Sequence, residues 1–275
     1  MKDPLAPKIS IIVATYNRPG ALALVLCALA DQHSANFEVV VADDGSGPET
    51  KSAIERLAGS LPYPLLHVWQ PDEGFRLAAV RNRAAAKATG DYFAFIDGDC
   101  LPLPDFVARQ RAMAEPGWFV TGNRILLSRR LSERALVSDL PLWRWGRIAW
   151  IRARLQGDIK LLEPLLRYRN RSRPKPDWTG TEGCNIAVWR HDFIAINGFD
   201  ETYRSWGYED SDFAHRLIRS GSRRRATRWN VPLLHLWHGG QSDEQFSQNR
   251  ARFEETLASN RTRAIEGFDR YGSGT

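Results

Sequence analysis

The chain has few of the residues that staple a protein or anchor it in a membrane. Its 275 residues include three cysteines, Cys27, Cys100 and Cys184. Their spacing fits no metal or redox motif, so a disulfide framework is not expected and the thiols should be reduced and mostly buried. No apolar run approaches the ~18 residues of a membrane span. The opening "MKDPLAPK" passes straight into "ISIIVA" with no apolar leader. The expectation from these two absences is a cytoplasmic chain, with a peripheral place on the inner face of the cytoplasmic membrane left open. Internal repeats and low-complexity tracts are also lacking.

What is present is ordinary for a folded protein: 43% hydrophobic and 25% charged residues, in a chain long enough for a sizeable core. The net charge of +6 is unevenly spread. Between Arg124 and Lys175 fourteen basic residues face four acids, a local +10, which leaves the remainder at −4.

The first hundred residues alternate short apolar runs with helix-like segments. "ISIIVA", "FEVVVA", "LLHVWQ" and "YFAFID" are rich in β-branched and aromatic residues and end in turn formers. The segments between them carry helix formers or apolar residues at helical spacing. This alternation implies parallel βαβ units in a doubly wound α/β sheet. Such sheets bind ligands at the carboxyl ends of their strands. There the sequence places "TYN" (Thr15 to Asn17), "DDGS" (Asp43 to Ser46), "PDEGFR" (Pro71 to Arg76) and "DGDC" (Asp97 to Cys100). Further along, "GCNIAVW" and "VPLLHLWH" read as strands, "DSDFAHRLIRSG" as a helix closed by Gly221, and Asp243 to Arg263 as a long polar helix.

Asp97 and Asp99 stand two apart at a strand end, where both can turn toward one centre. Such a pair suits a divalent cation that holds a phosphate, because Mg²⁺ and Mn²⁺ take oxygen ligands and keep phosphate oxygens among them. The same tripeptide is also a common turn. A second cluster, "SWGYEDSDF", packs Glu209, Asp210 and Asp212 into four positions, more negative charge than a helix start needs.

In this order the motifs "SIIVATYNRPGAL", "VVVADDGSG", "RLAAVRNRAAAKATGDYFAFIDGDC" and "NGFDETYRSWGYEDSDFAHRL" resemble family 2 glycosyltransferases of the GT-A fold. The second half is similar to β-1,4-galactosyltransferases, chondroitin-polymerising enzymes and polypeptide GalNAc-transferases. The resemblance covers about Lys8 to Asn123 and Thr179 to Gly240. It implies a Rossmann-like, mixed but mainly parallel sheet flanked by helices, here with a basic helical insertion. The division it suggests is 1–123 for the nucleotide-sugar half, 124–177 for the insertion, 178–242 for the acceptor and catalytic half, and 243–275 for a C-terminal helix.

The resemblance also implies roles. Ala14, Thr15 and Asp44 would lie at the uracil of a UDP-sugar, with Tyr16, Asn17 and Asp43 close by and Arg81 near the nucleotide. In the DXD-like "DGD", Asp99 would bind Mn²⁺ or Mg²⁺, and Asp97, beside Gly98, the ribose or a metal-bound water. His238 would be a further metal ligand, with His235 in reserve. Asp210 would take the proton from the attacking hydroxyl and Glu209 would orient donor or acceptor hydroxyls. Trp206, Gly207 and Tyr208 would form a sugar platform, although the family has glycine where Tyr208 stands. Asp212 would favour the helix N-terminus.

These assignments add up to a metal-dependent inverting hexosyltransferase that acts on a saccharide or lipid-linked saccharide in lipopolysaccharide or surface-polysaccharide synthesis. The insertion, with "LPLWRWGRIAWIRARL", fits an interfacial helix on an anionic membrane, a groove for an anionic acceptor, or a solvated basic face over a packed apolar stripe. No nucleic-acid motif accompanies it. Two rivals remain: a sugar nucleotidyltransferase, which would carry a Gly-rich basic loop where "TYNRPG" stands, and a noncatalytic basic adaptor.

Overall fold

The computed structural model describes residues 6–166, 172–227, 230–239 and 246–272. Arg167 to Arg171 of the basic segment, Gly240, and Asp243 to Gln245 of the expected last helix lie outside them. The first half alternates as β1 (Ile9–Thr15), α1 (Pro19–Ala30), β2 (Phe37–Asp43), α2 (Pro48–Ala58), β3 (Leu65–Trp69), α3 (Leu77–Lys87) and β4 (Tyr92–Asp97). Then come β5 (Cys100–Pro102), α4 (Phe106–Met113), β6 (Trp118–Thr121) and β7 (Arg124–Leu126). The basic segment supplies α5 (Arg129–Val137), α6 (Arg147–Leu155), α7 (Glu163–Leu166) and β8 (Ser172–Lys175). The chain continues with β9 (Asn185–Trp189), α8 (Arg190–Ala195), α9 (Glu209–Arg219), β10 (Arg223–Thr227), β11 (Leu233–His235) and α10 (Phe246–Ala258).

The strands form an eight-stranded sheet in the order β3-β2-β1-β4-β9-β6-β10-β8 and a small sheet in the order β5-β11-β7. β1 to β4 are mutually parallel, whereas β9 enters antiparallel between β4 and β6. β1 and β2 are buried at every position, as strands covered by helices on both faces must be. Ile9, Ile11 and Val13 join one core layer with α1, Trp143 and Trp150. Ile12 points the other way, into a layer with α3, α9 and a phenylalanine cluster. In that cluster Phe199 stacks on Phe213 at 4.1 Å and meets Phe95 edge-on at 5.1 Å. These rings fix the start of α9 against the back of β4.

A buried ion pair completes that anchor. Asp212 accepts from Arg216 Nε at 2.7 Å, and Arg216 Nη1 donates to the carbonyls of Ile196 and Gly198. Asp212 lies in the first turn of α9, as expected, and its buried carboxylate also serves the core through Arg216.

Two strands differ from the sequence expectation. The basic segment is not helical throughout, since Ser172–Lys175 pairs antiparallel with β10 at the edge of the large sheet, where a proline such as Pro174 is tolerated. β10 itself, "RRRAT", hides its period because its first three side chains, which alternate between the two faces, are all arginines. Arg224 turns inward and donates to the carbonyls of Asp177 and Thr179, while Arg223 and Arg225 sit 4.2 and 4.8 Å from the Trp118 ring. All three cysteines are free thiols, Cys100 and Cys184 buried. Among the described residues no helix is long and apolar enough to cross a membrane.

Candidate active site

The turn Asp97-Gly98-Asp99 joins the two sheets, with β4 on one side and β5 on the other. Gly98 N donates to Ala14 O at 2.6 Å, and a Cβ at Gly98 would lie 2.9 Å from that oxygen, so the close approach of β1 requires glycine. The two carboxylates diverge instead of sharing one centre. Asp97 accepts from Arg81 Nη2 at 2.9 Å. Asp99 meets Arg18 Nη1, and it lies 3.6 Å from His235 Nε2 and 3.6 Å from His238 Nε2. Leu236 N donates to Asp99 O, which pins the end of β11, and with it both histidines, to this turn.

Asp99, His235 and His238 each offer a ligand atom within 4.8 Å of the others. Burial, against the pull of Asp99, holds the His235 imidazole down at about 4, so it is neutral at ordinary pH. His238 Nδ1 lies 2.8 Å from Gly239 O. A proton on that nitrogen leaves Nε2 with a lone pair aimed at the Asp99 carboxylate. Two acceptors facing each other are a poor contact unless a cation stands between them. One carboxylate and two imidazoles that converge within 4.8 Å fit a divalent ion, with nitrogen donors that suit Mn²⁺ better than Mg²⁺.

Behind the turn, Arg81 is 1% exposed. Its Nη2 binds Asp97 and also Gly183 O at 3.1 Å, while Gly183 N donates to Asp210 Oδ2 at 2.8 Å. The guanidinium packs 5.2 Å from the Phe199 ring, and its Nε and Nη1 have no partner. A hydrogen-bonded chain Asp97, Arg81, Gly183, Asp210 thus ties the strand end to the start of α9. Asp210 Oδ1 also accepts from Ser211 N at 2.6 Å. Burial raises the Asp210 carboxyl, and the N–H groups of Gly183 and Ser211 pull it back toward the anion. Glu209 has a buried oxygen with no partner. Burial, and then Asp210, push its carboxyl up to about 7.

The loops expected at a nucleotide base are held by their own hydrogen bonds. Asp44 accepts from Gln70 Nε2 at 2.6 Å and from Arg76 N at 2.8 Å. Thr15 is buried with an unpartnered hydroxyl, and Tyr16, exposed at the rim, donates to Asp72. Asp43 does not face the cleft: at 1% exposure it receives Ser46 N and contacts His67 Nε2. Asn17 likewise serves the loop, since its Oδ1 accepts from Gly47 N. A separate cavity of about 420 Å³ opens on the far side of α3, among Arg76, Arg83, Tyr203 and Tyr271. It includes none of the acid cluster.

In the "SWGYED" loop Trp206 stacks on Phe246 at 5.7 Å and stays 49% exposed, so one ring face is backed and the other free. Gly207 has φ +103°, with Phe246 where a Cβ would go. Tyr208 is a correction to the platform: it clamps the loop onto α10, 5.0 Å from Phe246 and stacked 5.4 Å from Phe253. Its φ of +68° is the left-handed region that favours glycine, and ring packing offsets the strain.

Sequence reasoning missed Arg18, which meets Asp99, and Gly183, which links Arg81 to Asp210. Arg18 lies in the inspected first loop, whereas "TEGCN" sits before its strand and no strand-end rule reaches it.

The validoxylamine A glucosyltransferase of Streptomyces hygroscopicus subsp. jinggangensis is 30% identical over 243 residues, 83% of this chain and 56% of that protein. The chondroitin synthase of Escherichia coli is 27% identical over 231 residues, 80% of this chain and 33% of that protein. The chain thus spans about half or less of the length of these curated relatives. Among solved structures, the mannosyltransferase of Pyrobaculum calidifontis in complex with GDP-Man and Mn²⁺ superposes with a TM-score of 0.61 at 22% identity, covering 93% of this chain and 66% of that one. Staphylococcus aureus TarS 1-349 in complex with UDP superposes with a TM-score of 0.61 at 16% identity, covering 96% and 68%. These likenesses establish a shared GT-A fold. The family described as the N-terminal domain of galactosyltransferase matches residues 164–233, which include Gly183, Glu209 and Asp210. Residues 10–191, from β1 through the candidate metal turn and past β9, match glycosyl transferase family 2, and the chain belongs to that family.

Proposed function

We propose that the chain is an inverting, metal-dependent glycosyltransferase. It would move a hexose-type sugar from a UDP-sugar to a hydroxyl of a saccharide or lipid-linked saccharide, in lipopolysaccharide or surface-polysaccharide synthesis. The observation that carries this reading is the hydrogen-bonded chain from Asp97 through Arg81 and Gly183 to Asp210. It holds a donor-side carboxylate and a base-side carboxylate in one rigid frame.

Asp99, His235 and His238 would hold Mn²⁺ or Mg²⁺, which when bound would neutralise charge on the leaving diphosphate. Asp210, whose carboxylate form is favoured by two backbone N–H groups against the burial that raises it, takes the proton of the attacking hydroxyl, a contribution of about 10² to 10⁴ in rate. Glu209, near half-protonated at neutral pH, can both donate to and accept from a sugar hydroxyl. The free face of Trp206 supplies an apolar surface for a sugar ring. Attack on the face opposite the diphosphate inverts the anomeric carbon without a covalent enzyme intermediate.

One structural neighbour was solved with UDP and another with GDP-mannose, so the nucleotide is tested first. Thermal unfolding is followed with UDP and with GDP, each with Mn²⁺ and with EDTA. Ligand at a hundredfold its Kd should stabilise the fold by about 2.7 kcal/mol. A gain with UDP and Mn²⁺ that disappears in Asp99→Ala supports the assignment. No gain with either nucleotide overturns it.

A further inference from the structure

α6 packs through Trp150 and Ala153, both buried. Its opposite face is apolar and open to water: Ile148 is 69% exposed, Ile151 41% and Leu155 82%. Positions 148, 151, 152 and 155 share one helical face, so Arg152 stands within this stripe, and Arg147 and Arg154 flank it. The helix contains no acid. Among the described residues none of these three arginines is paired with a carboxylate, whereas nearby Arg144 is neutralised by Asp31.

We propose that this face docks the protein on an anionic lipid bilayer, with Ile148, Ile151 and Leu155 entering the headgroup boundary and Arg147, Arg152 and Arg154 meeting lipid phosphates. Charge selects the occupant. A two-fold contact with a second copy would set these arginines against their own counterparts, while an anionic surface complements them. This distinguishes the face from a solvated basic surface, whose apolar stripe would be packed inward.

The docking inference rests on α6 alone and not on the catalytic reading.

The test is co-sedimentation of the full chain with vesicles of phosphatidylcholine, and of phosphatidylcholine mixed with phosphatidylglycerol. Binding is expected on the mixed vesicles only, and salt should weaken it. Ile148→Ser combined with Leu155→Ser should lower binding by more than about tenfold. Arg152→Gln with Arg154→Gln should cost roughly fivefold per charge. Neither change should alter thermal unfolding, because these side chains lie outside the core. Absence of binding to mixed vesicles, or undiminished binding by the serine variant, overturns the proposal. So does light scattering that shows a dimer which the serine variant dissociates, since the face would then belong to a second copy.

Discussion

Replacing Glu209 with glutamine should make the protein more stable and less active at the same time. The residue opens α9 in a buried position with one carboxylate oxygen unpartnered. Burial and the neighbouring Asp210 hold its carboxyl at about 7, from a reference value of 4.5. A carboxyl raised by folding stabilises the fold while protonated. That contribution is complete below about pH 4.5 and is lost as the pH climbs through about 7. At 1.36 kcal/mol per pH unit the whole loss is about 3 kcal/mol. Glutamine keeps the shape and cannot ionise, so Glu209→Gln should remove that slope. Urea unfolding of both proteins at about pH 5 and about pH 8 measures it. The advantage of the variant should grow across the interval by about 2 to 3 kcal/mol, and the role proposed for Glu209 in orienting a hydroxyl predicts that sugar transfer falls. Such a trade of stability for function is characteristic of active sites. Parallel pH curves would falsify the assignment of the raised group to Glu209.

At Tyr208 the φ of +68° predicts that Tyr208→Ala, which keeps the strain and loses the ring contacts, is less stable than Tyr208→Gly by about 1 kcal/mol. Denaturant midpoints of the pair decide the point, and a more stable alanine variant would contradict the backbone argument. Arg18 competes with any cation for Asp99, so Arg18→Ala should tighten Mn²⁺ binding about tenfold in calorimetry without nucleotide; unchanged affinity would mean that the guanidinium swings clear at no cost. Breaking the ion pair of Asp212 and Arg216, both fully buried, by Arg216→Met should cost about 3 to 5 kcal/mol. Chemical denaturation would show a smaller loss if Asp212 finds another partner.

Much of the frame was legible because β1, β2 and β4 lie between helical layers and so are written as unbroken apolar runs. Their polar ends pointed to Asp97 and Asp99, which the structure places at the joint of the two sheets but turned to different partners, Arg81 for Asp97 and Arg18 with two histidines for Asp99. The rest was hidden for physical reasons. β9 runs antiparallel to β4, so the residues just before that strand, such as Gly183, and not those after its end reach the functional edge. β10 buries an arginine by satisfying it with carbonyl oxygens, which defeats any reading of hydrophobic period. Asp43, Asp44 and Asn17 matched a binding motif by residue type, and their side-chain oxygens also hold the loops together, which residue type alone does not reveal. Tyr208 occupies a glycine-like backbone position, and only its contact with α10 explains how a bulky residue can stand there.

Gly98 joins two sheets, and the pieces that would grip a nucleotide sugar are divided at that joint. The loops after β1 and β2, and Asp97 with its arginine, belong to the large sheet. Asp99, His235 and His238 travel with the small one. The protein is in this sense modular below the level of the domain. On the proposed function, exchanging β11 and the "LWH" tail that follows it would reset the choice of metal and leave base recognition in place, whereas changes at Thr15 or Asp44 would do the reverse. Two properties that meet on one ligand can therefore be altered one at a time, by selection or by design.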